Sequence, residues 1–129
     1  MTNFIMPLII LHCVLPYGLD DRLILALIKT ESNFDQYAIG DDGKSFGLAQ
    51  VQLKTARDMG FRGKPRDLFK PDINIEYSCK YLAHLYHQEK DIHKALRAYN
   101  LGPGAAKKYP WDKPWIYHPY VGRILKGLK

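Results

Sequence analysis

The chain has 129 residues, 47% of them hydrophobic, which suits one compact domain with its own core over residues 1–129 and leaves no room for a second. Nineteen basic against 13 acidic side chains give a formal charge of +6. That balance favours encounter with polyanions such as nucleic acid, anionic lipid or an acidic cell wall, without choosing among them.

The first stretch, residues 1–18, reads as an N-terminal apolar segment forming a packed helix. Its apolar run from Phe4 to Leu15 lacks a leading basic residue, is interrupted by Pro7, and shows no small-x-small cleavage site before Tyr17, so no cleavable signal peptide is expected. It is also too short to span a bilayer, which takes about 20 apolar residues. After Pro16-Tyr17-Gly18, Asp20 is placed to cap a helix running to about Ser32, with Asp21 in its first turn. Apolar residues nearly encircle that helix, as expected of a buried central one.

From Asp35 to Phe46 the chain is polar and glycine-bearing, an exposed turn or at most a small β-hairpin. A second helix is expected from near Gly47 to Gly60. One short turn follows through Leu68-Phe69, and Pro71-Asp72 opens a long helix to Glu89. Asp91 caps another over Ile92 to Tyr99, which breaks at Asn100-Leu101-Gly102-Pro103-Gly104. Pro110, Pro114 and Pro119 keep the next stretch irregular, and Pro119 opens a last helix through Val121, Ile124, Leu125 and Leu128. The fold class is therefore mainly α.

Cys13 and Cys79 are too few for a disulfide framework and form no Cys-x-x-Cys pair, although a single bridge between them is left open. Among five scattered histidines only His84 and His87 share a helix face, without an acidic or thiolate partner in that motif. Neither a metal nor a cofactor is expected.

The chemically suggestive residue is Glu31. One and two turns back on its helix stand Ile24, Leu27 and Ile28, so the carboxyl is set against hydrocarbon. Desolvation raises a carboxyl pKa towards neutrality, where the group can donate a proton and take one back. The competing view of this residue alone is an ordinary surface charge at a fraying helix end.

Several separate stretches stand in a telling order: Glu31-Ser32-x-Phe34, Ser45-x-Gly47-Leu48-Ala49-Gln50, Asn74-Ile75 followed by Tyr81-Leu82, Ala98 to Gly104, and Tyr120-Val121. Together they resemble the soluble lytic transglycosylase (SLT) domain family, with its goose-type-lysozyme-like helical fold, over nearly the whole chain. The resemblance implies that Glu31 is the catalytic acid and then base, acting on the MurNAc-GlcNAc bond of peptidoglycan with formation of 1,6-anhydromuramic ends. It implies substrate-binding roles for Gln50 and Asn100, neutral amides suited to N-acetyl groups, and for Tyr81, Tyr99 and Tyr120. Ser32 either caps the helix end or bonds to Glu31. The tyrosines present aromatic faces that suit sugar rings, although Tyr99 and Tyr120 serve equally well as core.

The pattern departs from the family at Ala49 and Gln52, where methionines are common, and Gly40 falls near a position where many members carry serine. The stretch Gly40 to Val51 also resembles goose-type lysozymes, including an aspartate at the matching place. An inverting hydrolase needs a second carboxylate to activate water. Asp41 is the candidate, Asp42 the lesser one, and the alternative is that both simply build the turn.

The implied partner is the peptidoglycan glycan strand, for a monomer acting at the cell wall or periplasm. Such an enzyme is secreted, phage-encoded or virion-associated, or belongs to a bacterial secretion assembly. A non-catalytic wall-binding module predicts loss of the acid, which Glu31 contradicts. A nucleic-acid binder is suggested by Tyr109, Trp111 and Trp115 beside Lys107, Lys108 and Lys113, but no recognisable motif for it accompanies them.

Overall fold

The computed structural model describes residues 8–11, 15–107 and 119–128. The expectations for Phe4, Pro7 and Cys13, and for the aromatic and proline-bearing stretch 108–118, lie outside the described residues.

Helix α1, Asp21–Ser32, begins where expected: the Asp20 side chain accepts from the Arg22 backbone N–H. It stops at Asn33, whose left-handed backbone carries its N–H back to the Lys29 carbonyl. Leu23, Ile24, Leu27 and Ile28 are buried, but the helix is not enclosed all round. Leu25 remains 38% exposed, and Arg22 and Lys29 also face solvent, because burying charged side chains at that face would cost more than the surface contact of Arg22 with Asp20 returns.

Three two-residue strands follow, β1 Ile39–Gly40, β2 Ser45–Phe46 and β3 Val51–Gln52, in one antiparallel sheet of order β1-β2-β3. Ile39 pairs with Phe46, and Phe46 with Val51. The hairpin expected near residues 35–46 is present, and β3 adds a third strand to it. Helix α2 consequently starts only at Leu53 and runs to Asp58, later than the glycine at position 47 suggested. Gly47 has φ +76° and Gln50 φ +53°, left-handed conformations that a right-handed helix cannot contain.

Strands this short need support from outside the sheet, and Asn74 supplies it. This fully buried side chain sits in the first turns of α3, Pro71–Glu89. Its Oδ1 accepts from the Ala49 N–H at 2.9 Å, and its Nδ2 donates to the carbonyls of Phe46 and Leu68, each at 2.7 Å. A Cβ at Gly47 would lie 2.5 Å from Asn74 Nδ2 and 2.8 Å from the Leu68 carbonyl oxygen, so only glycine lets the clamp close. The Phe46 ring meets Phe69 edge-on, 5.6 Å between centroids, on the short 3-10 helix Pro65–Phe69 that precedes α3.

A two-residue link, Lys90 and the N-cap Asp91, leads into α4, Ile92–Leu101. That helix runs through Asn100 before Gly102, at φ +90°, ends it. The short α5, Pro103–Lys107, packs on α4, and α6, Pro119–Lys126, packs on α1 and α4. Ile24, Leu27 and Ile28 of α1 meet Ile75, Leu82 and Leu85 of α3, Leu96 of α4, and Val121 and Ile124 of α6 in one core. Cys79, buried in that core, is disulfide-bonded. Among the described residues, the N-terminal segment is helical over 8–11 and 15–17 and contributes Ile10 to the core.

Candidate active site

The C-terminal end of α1, the sheet, and the end of α4 enclose a cleft of about 370 Å³. Glu31 stands in it with Asp41, Gln50, Tyr81, Tyr99 and Asn100. Of the residues singled out in the sequence, these six come together. Tyr120 reaches the same carboxyl from α6, its hydroxyl donating to Glu31 Oε2 at 2.7 Å. Ser32 does not join them, since its hydroxyl donates to the Ile28 carbonyl at 3.2 Å within the helix.

The environment of Glu31 favours the protonated acid. Burial, the largest influence, pushes its pKa from 4.5 up to about 7. The Tyr120 hydroxyl pulls the other way by stabilising the carboxylate, and the charge of Asp41 raises it further. The tyrosines nearby are held neutral, Tyr99 and Tyr120 well above the ordinary phenol range, through burial first and then the charge of Glu31. A carboxyl titrating near neutrality holds a proton and releases it at little cost, which is what a general acid that later acts as base requires.

Each surrounding group is oriented by a specific contact. The Gln50 amide nitrogen donates to the carbonyls of Ala38 at 3.1 Å and Gly47 at 3.0 Å, which leaves its oxygen as the end available to a ligand. That oxygen occupies the space beside Gly40, where any Cβ would collide with it. The glycine at position 40 is thus matched to the pose of Gln50. Tyr99 donates to the Ala49 carbonyl at 2.8 Å and its ring lies 5.5 Å from that of Tyr81, so the two form one aromatic wall. Asn100 Oδ1 accepts from Arg97 Nη1 at 2.9 Å. Asp41, at φ +51° in the β1–β2 turn, accepts a hydrogen bond from the buried Ser45 hydroxyl.

Sequence reasoning assigned no site role to Ser45, Thr55, Leu101 or Gly102, all of which line the cleft. Ser45 carried a legible signal, since it opens the Gly-Leu-Ala-Gln motif. Leu101 and Gly102 contribute by where α4 stops, which the composition of that loop did not locate. Asn74 never touches the cleft, yet it fixes the backbone of residues 46–49 on which Gln50 stands.

The family description of the transglycosylase SLT domain matches residues 12–113. The chain belongs to that family. Among relatives of this SLT domain, membrane-bound lytic murein transglycosylase C of Shigella sonnei is 36% identical over 69% of the chain, and its namesake in Haemophilus influenzae strain PittEE is 38% identical over the same share. The chain spans 29% of the length of each of these relatives. Of solved structures, an inactive glutamate-to-glutamine mutant of lytic transglycosylase Slt from Pseudomonas aeruginosa superposes with a TM-score of 0.81. It is 25% identical and covers 92% of this chain and 22% of that one. The 70 kDa soluble lytic transglycosylase of Escherichia coli shares the fold at 20% identity, with a TM-score of 0.70 over 84% of this chain and 21% of its own. The mainly helical SLT architecture with a small antiparallel sheet is common to all three structures.

Proposed function

We propose that this SLT domain is a peptidoglycan lytic transglycosylase in which Glu31 is the sole acid-base group. The observation that carries the reading is a buried carboxyl poised near pH 7 in a cleft lined mostly by uncharged groups, among them the amides of Gln50 and Asn100 and the rings of Tyr81 and Tyr99, with Asp41 as the other carboxylate. Protonated Glu31 gives its proton to the glycosidic oxygen as the bond from that oxygen to the muramic anomeric carbon breaks. The substrate's own acetamido oxygen stabilises the positive centre, so no protein nucleophile is needed. The carboxylate then takes the proton of the muramic 6-hydroxyl while that oxygen bonds to the anomeric carbon. An anhydro ring closes without water, and Glu31 returns to its protonated form.

Gln50 and Asn100 hold N-acetyl groups by hydrogen bonds, Tyr81 and Tyr99 present rings to the sugars, and Tyr120 fixes the Glu31 carboxyl. Amides bind without adding charge that would alter the titration of Glu31. In this reading the protein works as a monomer at the wall, as a phage lysin, a virion-associated enzyme or a component of a secretion assembly does.

One observation favours a second reading. Asp41 lines the same cleft, is held by Ser45, and acts electrostatically on Glu31, a position from which a carboxylate can activate water for hydrolysis. Digestion of purified peptidoglycan followed by mass spectrometry separates the two. Transglycosylation gives anhydromuramic ends, each lighter by one water than the reducing muramic ends left by hydrolysis. Reducing ends as the main product would overturn the first reading in favour of the second.

A further inference from the structure

Helix α1 carries a second polar feature, and it points away from the acid. At about 100° per residue, Arg22 and Lys29 lie roughly 160–180° round the helix from Glu31. Between this face and the C-terminal part of α6 runs a groove of about 550 Å³, whose walls include Arg22, Leu25, Lys29, Phe34 and Arg123. No acidic side chain lines it among the described residues. The charge of Arg22 is partly answered by Asp20, whose Oδ2 lies 2.8 Å from Arg22 Nη2. Neither Lys29 nor Arg123 enters an ion pair among the described residues. Lys126 adds a further cation in the last turn of α6. Two large apolar side chains stand exposed beside these charges, Leu25 at 38% and Phe34 at 46%.

Cations alone would suit any polyanion. Apolar side chains interleaved with them narrow the choice: the Phe34 ring suits a sugar ring or a base as well as lipid, but the aliphatic Leu25 finds no such partner on a hydrated anionic polymer, whereas the headgroup region of a bilayer accepts both together with the cations. The geometry adds a reason: with this face against a membrane, the cleft containing Glu31 opens on the far side of α1. No helix among the described residues is long and apolar enough to cross a membrane; the contact considered is one between this surface and the lipid headgroups. We propose that the α1–α6 groove is a docking face for an anionic phospholipid bilayer, which the protein meets with its cleft turned away from the lipid.

Vesicle sedimentation tests this with the full chain, using phosphatidylglycerol–phosphatidylcholine vesicles and pure phosphatidylcholine vesicles. The wild type is expected to sediment with the anionic vesicles and to be released as salt rises. At about fivefold per cation near the surface, the double variant Lys29→Gln, Arg123→Gln weakens the partition about thirtyfold. The control Lys44→Gln, Arg66→Gln removes the same charge elsewhere and shifts it by less than about threefold. Circular dichroism and melting of each variant confirm the fold. Equal weakening by the two double variants, equal binding to neutral vesicles, or retention on insoluble wall material with no vesicle binding each overturns the proposal. The measurement does not depend on the reaction catalysed in the cleft.

Discussion

Asn74 and Glu31 both take a polar side chain out of water near the same cleft, and the protein treats them in opposite ways. Asn74 is fully buried and its amide makes three short hydrogen bonds to backbone groups. Glu31 has one hydrogen bond among the described residues, from Tyr120, and an aspartate rather than a cation for electrostatic company. A satisfied buried amide locks geometry, whereas an under-satisfied buried carboxyl is left with a shifted affinity for its proton. The first region builds the platform, and the second holds a carboxyl that exchanges its proton near pH 7.

The largest expected effect falls on the second region. Glu31→Gln keeps the shape and removes the proton donor, so activity on peptidoglycan should drop by about a thousandfold, within the usual span for a lost general acid. Release of soluble muropeptides measures it, and near-wild-type release from a folded variant would remove Glu31 from the reaction.

In the first region the expected change is in stability. Asn74→Ala leaves the Ala49 N–H and the carbonyls of Phe46 and Leu68 without their buried partner. At about 1–3 kcal/mol for each unsatisfied group, partly relieved by water, a loss of about 3 kcal/mol is expected in urea unfolding. A loss below about 1 kcal/mol would mean that the sheet does not depend on the clamp.

The two regions differ in how far they could be read from sequence. Glu31 was legible because the apolar residues behind it share its helix face at helical spacing, and because Gln50, Tyr81, Tyr99 and Asn100 fall in a family order around it. The helices were legible through their caps: Asp20, Pro71, Asp91 and Pro119 each begin one where expected. The clamp was not legible as a clamp. Asn74 sits 25 residues from Ala49 and 28 from Phe46, and no local pattern reports a bond across that distance. The third strand escaped notice for a related reason. Val51 and Gln52 follow an apolar stretch that suits a helix, and it is the left-handed backbone at Gly47 and Gln50 that turns them into the sheet. The open face of α1 was misread because periodicity weighed Leu25 as core, although Arg22 and Lys29 mark the stripe as exposed.

Glu31→Gln should also reverse the usual cost of mutation. In the unfolded chain Glu31 titrates near its ordinary 4.5, and in the folded state near 7. Below about pH 4.5 it is protonated in both states and imposes no electrostatic penalty. As pH rises through the interval to 7 the unfolded state loses its proton first, so the wild type loses stability that it does not regain at higher pH. That interval corresponds to at most about 3 kcal/mol, less whatever the partial exposure of the carboxyl screens. The glutamine variant has no such loss, so its advantage in melting temperature should grow from pH 4.5 to 7 and then level off. An advantage independent of pH would show that the carboxyl is not desolvated.

The smallest effects concern the two groups that bias Glu31 in opposite directions, and their signs are more informative than their sizes. If Glu31 must be protonated to act, activity falls as pH rises through its pKa. Tyr120→Phe removes the hydrogen bond that favours the carboxylate, so the alkaline limb of the pH–rate profile should move up. Asp41→Asn removes the negative charge that opposes ionisation, so the limb should move down, by less than about one unit because the cleft admits water. Shifts of the same sign in both variants would sink this electrostatic account of the site. The size of the rate change in Asp41→Asn at acidic pH then bears on the product: a loss under about tenfold fits a charge acting only through Glu31. A loss above about a hundredfold is what removing a base that activates water would cause, and in that case the reducing ends of hydrolysis should dominate the digest.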